Sequence, residues 1–174
     1  MKFCFKVGLV LLSLATALSA CSGQKCGRND WCACSGGTEC LQGCDDVDGC
    51  RFFCSLSDRC TATCGTGCTF DFHDAKENSF SCGDACNIGC HESTACGAIC
   101  GANCDYTAYN VVHSGARVGP NSMVSCTDVK VCVVECLGSC TVACDQVDTC
   151  EVHCPNNAAP MSCQNGSLAC GACR

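Results

Sequence analysis

The residues with the most chemical capacity are cysteines, 28 in a chain of 174. Thiols at this density pair as disulfides, bind metal ions as thiolates, or pass electrons through an acidified thiol. The spacings argue for pairing. Metal-storage sequences are packed with C-x-C and C-x-x-C units. Here C-x-C occurs once, at Cys32 and Cys34, and C-x-x-C once, at Cys170 and Cys173. A redox C-x-x-C needs a following helix whose N-terminus lowers a thiol pKa. Only Arg174 follows Cys173, so Cys170 and Cys173 are expected to be structural. They close on each other or reach back to cysteines such as Cys163.

The remaining polar constellations are weaker. Asp45-Asp46-Val47-Asp48, echoed by Asp145 and Asp148, lacks the ligand count and the glutamate of an EF-hand loop and reads as a solvated acidic turn. His73, His91, His113 and His153 have neither the paired spacing nor the companion glutamate of a zinc or protease motif, and are expected on the surface. The chain is read as a non-enzyme, with no catalytic residue, no metal ligand and no cofactor.

The N-terminal stretch 1–20, MKFCFKVGLVLLSLATALSA, places Lys2 and Lys6 before an apolar run from Val7 to Leu18. That run has signal-peptide length and is too short to span a bilayer. Leu18-Ser19-Ala20-Cys21 resembles the lipobox of bacterial lipoproteins. The resemblance implies that the Cys21 thiol takes a diacylglycerol, that cleavage leaves Cys21 as the mature N-terminus, and that its amino group is acylated, typically with palmitate. Ser22 in place of Asp at the next position implies sorting to the outer membrane. Counting agrees. Cys4 leaves with the signal and 27 cysteines remain, an odd number for a secreted disulfide protein. Lipidation of Cys21 leaves 26, enough for 13 pairs. The competing expectation is an ordinary secretory signal and a soluble product.

Composition sets what these cysteines must do. From residue 21 onward, Leu, Ile, Val and Phe number 23 of 154, below the roughly 20% at which burial alone sustains a fold. Without the two signal lysines, 8 basic residues face 17 acidic ones. A surface of that sign repels phosphate backbones and excludes nucleic acid as the expected partner.

The elements that position the cysteines follow from their gaps. From Cys26 to Cys154 all 23 cysteines are even-numbered, and the dominant gaps are four and six, largely alternating. A C-x3-C-x5 unit therefore recurs every ten residues, as at Cys40/Cys44, Cys50/Cys54 and Cys60/Cys64. CDDVDGCRFFC at 44–54 and CDQVDTCEVHC at 144–154 are near copies. Side chains of an extended chain alternate faces, so equal parity means one face. The residue midway between paired cysteines is usually apolar, as with Phe52, Ala62, Ile88, Ala98, Val134, Val142 and Val152, while Gln42 and Thr66 depart from the rule. Each C-x-Φ-x-C is then a short strand, and the x5 segments, rich in Asp, Ser, Thr and Gly, are turns. The expected fold is all-β: a small-coil, disulfide-stapled β-solenoid in which each ten-residue unit makes one turn. The alternative is an irregular disulfide-rich fold. Cysteines stacked in adjacent coils and cysteines facing each other across one coil both satisfy disulfide geometry, and sequence does not choose between them.

The lipobox and the repeat together resemble predicted cysteine-rich repeat lipoproteins of Gram-negative bacteria. The organisation expected is a signal at 1–20, a lipidated tether and cap at 21–39 holding Trp31, and a repeat domain at 40–154. Two cysteine-free loops, 69–81 and 105–125, interrupt that domain, and a C-terminal cap spans 155–174. The expected function is a lipid-anchored envelope protein with a structural or interaction role, partnered with the membrane through its lipid and with an unassigned surface partner through loop 105–125. The alternative is a soluble effector, inhibitor or metal binder.

Overall fold

A computed structural model describes residues 24–28, 31–44 and 47–173. Cys21, Asp45 and Asp46 lie outside the described residues. The chain is nearly all β and winds into a solenoid of about seven turns. Its strands are β1 (Gln24–Lys25), β2 (Trp31–Gly43), β3 (Arg51–Cys64), β4 (Thr69–His73), β5 (Glu77–Cys82), β6 (Asn87–Cys100), β7 (Asp105–Val118), β8 (Ser122–Cys136), β9 (Cys140–His153), β10 (Met161–Ser162) and β11 (Leu168–Cys170). From β1 to β9 every pairing is parallel, coil upon coil.

The register corrects the length of a turn. Trp31 lies opposite Arg51, a step of 20 along the chain. Thereafter the step is 18: Arg51 faces Thr69, Thr69 faces Asn87, Asn87 faces Asp105 and Asp105 faces Met123. One coil therefore takes 18–20 residues and holds two cysteine-bearing sides, not one. A C-x-Φ-x-C strand is only one side of a coil and must turn back through a second before it can stack. The two extra residues of the first coil lie in the turn between Cys44 and Cys50, which is longer than the equivalent turn between Cys64 and Cys68.

Residues in the left-handed region make both corners along most of the solenoid. Leu56, Asp74, Glu92, Asn110, Asp128 and Gln146 mark one corner, and Gly49, Gly67, Ala85, Asn103 and Asn121 the other, each series advancing coil by coil. At this first corner a left-handed residue turns its next neighbour inward, and even parity resumes on the following side. Ser57, Ala75, Ser93, Val111 and Val129, one residue past the first corner, therefore point inward although odd-numbered. The straight sides keep the even parity. Phe52, Ile88, Val134 and Val142 are buried, Val152 is partly so, and Arg51, Thr63, Glu135, Glu151 and His153 are exposed.

The disulfides do not join adjacent coils. They staple consecutive cysteines around the corners of a single coil: Cys34–Cys40, Cys54–Cys60, Cys90–Cys96, Cys126–Cys132 and Cys144–Cys150 across one corner, and Cys64–Cys68, Cys100–Cys104 and Cys136–Cys140 across the other. Their Cα atoms lie 6.0–6.5 Å apart, within disulfide range. Thr66 is accordingly an exposed turn residue, not a strand midpoint. Gln42 is a buried midpoint whose Nε2 donates to the Cys32 carbonyl at 3.2 Å.

Three expected boundaries change. Residues 31–39 form part of the first coil instead of a tether. They pair in register with β3, and Cys32 and Cys34 occupy the inward places of Phe52 and Cys54. Residues 69–81 are not a loop. β4 and β5 make a full coil between β3 and β6, with Phe70, Phe72 and Phe80 inside. Residues 105–125 are likewise β7 and the start of β8, with Tyr106, Ala116, Val118 and Val124 inside. Cysteine is absent from both stretches, but the inward pattern of apolar and small residues continues, and that pattern forms the coil. Beyond His153, a 3-10 turn (Pro155–Asn157) and the antiparallel pair β10–β11 lay β11 against Cys140, Thr141 and Val142.

Candidate functional site

The outward side chains of the strands between the two corners form columns, one residue per coil. Two neighbouring columns run Phe53, Asp71, Gly89, Thr107 and Ser55, His73, His91, Tyr109. Asp71 and His73 sit on β4 two residues apart and share the outward face. His91 on β6 lies directly beside His73. The His73 Nε2 and Asp71 Oδ1 are 2.6 Å apart, and His91 Nε2 is 3.9 Å from the same oxygen. The two imidazoles stack with centroids 4.6 Å apart and planes 18° from parallel. Phe53 flanks His73 at 6.0 Å and Tyr109 flanks His91 at 6.4 Å. All three donor side chains are partly covered, and His91 is the most covered at 27% exposure. Burial, followed by the charge of neighbouring His73, holds the His91 imidazole below its ordinary 6.5.

Gly89 completes the geometry. It stands next to Asp71 across the strand pair, and a Cβ there would come within 2.9 Å of His91 Nε2. The missing side chain is what lets the imidazole fold back towards Asp71. In sequence the two histidines look unrelated. They are one coil apart, and only the true period of the coil could have paired them. His113 and His153 remain exposed, away from this cluster.

A second constellation lies on the turn corner. Cys82 and Cys86 are free thiols, at the place where Cys64–Cys68, Cys100–Cys104 and Cys136–Cys140 are bonded. Twelve disulfides therefore close among the described residues, not 13. The sulfurs of Cys82, Cys86, Cys100 and Cys104 lie within 4.8 Å of one another, with Cys82 Sγ 3.4 Å from Cys100 Sγ. A hydrogen bond between the two thiols splits their acidity. It lowers Cys86 below its ordinary value against the opposing effect of burial, and it raises Cys82, with burial adding to the rise.

The acidic turns do structural work. Asp48 Oδ1 accepts from the Thr66 backbone N–H at 2.9 Å, and Asp84 Oδ1 from that of Ala102 at 2.7 Å. Each carboxylate thus caps the equivalent turn of the following coil. Asp145 and Asp148 are exposed on the last coil. Cys170 and Cys173 do not pair with each other: Cys170 bonds Cys154 and Cys173 bonds Cys163, so the C-x-x-C fastens the cap. No protein-family model, curated protein or solved structure matches this chain.

Proposed function

We propose that this protein is a lipid-anchored, non-enzymatic rod of the bacterial cell envelope, held at the outer membrane through Cys21 and serving a structural or interaction role. The observation that carries the reading is the way the solenoid holds itself together. Its staples close within single coils, within the cap or between the last coil and the cap, and its interior is filled by cystines and by Phe52, Phe70, Phe72, Phe80 and Tyr106. About seven coils at ~4.8 Å per step make a stiff body roughly 30 Å long. Stacked repeats of this kind expose continuous outer columns suited to contact. The Leu18-Ser19-Ala20-Cys21 sequence supplies the anchor, since two or three acyl chains hold a protein stably where one does so marginally.

Membrane partition of the mature protein tests the reading. Wild-type protein is expected with the membrane fraction, its N-terminal peptide carrying the mass of a diacylglycerol. Cys21→Ser is expected in the soluble fraction or left unprocessed. If Cys21→Ser remains membrane-bound and is cut at the same bond, the lipid anchor is wrong and the soluble, secreted reading replaces it.

A further inference from the structure

We propose that Asp71, His73 and His91 form a divalent-metal site on the outer face of the solenoid, taking a borderline transition ion such as Zn²⁺ and tying β4 to β6. Two imidazoles and one carboxylate are the donor set such ions prefer. The three donor atoms already lie within 4.8 Å of one another. Ligands at about 2.0–2.1 Å from a tetrahedral zinc sit about 3.3 Å apart. The present separations of 2.6 and 3.9 Å from Asp71 Oδ1 to the two Nε2 atoms bracket that spacing, so small ring rotations suffice. His73 binds the ion through Nε2 as a neutral imidazole with its ring proton on Nδ1, and any second ring proton leaves to water. Water fills the remaining coordination position from the solvent side.

Three features set this cluster apart from a chance meeting of surface side chains. Phe53 and Tyr109 flank the stacked rings on either side and restrict their rotation. Gly89 leaves open the space beside His91 Nε2. The location also matters. Residues 69–86 are a coil with no disulfide of its own: Phe72 and Asn78 stand where the neighbouring coil has Cys90 and Cys96, and Cys82 and Cys86 are free. The described disulfides join cysteines within one coil, within the cap, or between the end of the repeat and the cap, so none cross-links consecutive coils. A metal held by Asp71 and His73 from one coil and His91 from the next supplies that cross-link at a coil without a closed staple of its own. The net charge of −7 favours approach of a cation.

The site is tested by calorimetric titration of the oxidised full chain with Zn²⁺, and with Co²⁺ as a spectroscopic probe. The proteins compared are wild type, the Cys82→Ser/Cys86→Ser double variant, His73→Ala, His91→Ala and Gly89→Ala. One ion per chain is expected for wild type and for the cysteine double variant, with a Co²⁺ spectrum free of thiolate charge-transfer absorption. His73→Ala and His91→Ala each remove a ligand, and should cost more than the roughly 10–100-fold that outer-shell changes cost metal sites. Gly89→Ala keeps every ligand but displaces His91, and should fall within that range. Zn²⁺ should raise the Tm of wild type and leave that of His91→Ala unchanged. The proposal is overturned if the cysteine double variant takes up no ion saturably. It is equally overturned if His73→Ala and His91→Ala bind as wild type does, or if Co²⁺ reports thiolate ligands. Both histidines are partly exposed, so unchanged far-ultraviolet dichroism should show that their variants fold. Membrane partition plays no part in the readout, so the outcome is independent of the lipid anchor.

Discussion

The Tyr106 hydroxyl lies 2.9 Å from Ser114 Oγ, both groups buried. Ala108 and Ser114 occupy the corner where the coil before has Cys90–Cys96 and the coil after has Cys126–Cys132. A hydrogen bond has taken the place of a disulfide. The longer Tyr106 side chain reaches across the coil from the strand midpoint, and the small Ala108 stands where the stapled coils carry a cysteine.

This bridge makes stability depend on pH at the alkaline end. Burial pushes the Tyr106 phenol up to about 12 from 10.0, with the Ser114 hydrogen bond partly opposing the rise. A raised folded-state pKa stabilises the protonated, folded form below pH 10, and that contribution is lost as pH rises from about 10 to about 12. Two units amount to about 3 kcal/mol. Thermal melts of wild type and Tyr106→Phe at pH 8 and pH 11 check this. Wild type should lose more stability between the two than the variant does, and equal losses would show that Tyr106 does not titrate late.

Cys82 and Cys86 should close into a thirteenth disulfide under mild oxidation, because the other three turns of this kind carry one. The hydrogen bond that lowers Cys86 favours the thiolate that would attack. Thiol titration should read two free groups before treatment with oxidised glutathione and none after, and peptide mapping should join the two. Either cysteine recovered linked to Cys100 or Cys104 would show instead that the rungs exchange.

Left-handed corners on non-glycine residues are strained, by roughly 1–2 kcal/mol where the residue cannot bond locally. Leu56 has φ 54° and is 66% exposed, so it gives up little packing when replaced. Leu56→Gly should stabilise the fold by about 1 kcal/mol, and Leu56→Val should destabilise it by a similar amount. Denaturant midpoints decide the sign.

Facing decides the cost of introduced charge. Phe52 is 1% exposed and stacks on Phe70 at 4.9 Å. Phe52→Asp loses that packing and buries an unpaired carboxylate, at a cost above about 4 kcal/mol. Arg51→Asp gives up a cation–π contact with exposed Trp31 at 5.7 Å, worth about 1 kcal/mol or less. Expression as oxidised monomer should fail for the first and persist for the second.

The amino-acid sequence by itself determined the inward face. The even-numbered cysteines and the apolar midpoints Phe52, Ile88, Val134 and Val142 share one parity, and the side-chain alternation of extended chain makes that parity a surface. It also determined that disulfides must hold the chain, because its aliphatic and phenylalanine residues are too few. The length of the coil, the partners of the cysteines and the grouping of the outer face were left to the tertiary structure. Most corners of the coil turn where the backbone enters the left-handed region, and Leu56, Asp74, Glu92 and Gln146 announce nothing of the kind in sequence. Once those corners set the length of the coil, Cys54 meets Cys60 around a bend and the phenylalanine and tyrosine stretches become coils like the rest. His73 comes to lie on His91. Parity is a property of two neighbouring residues, whereas register is a property of a closed turn, and only the second can bring together residues a full coil apart.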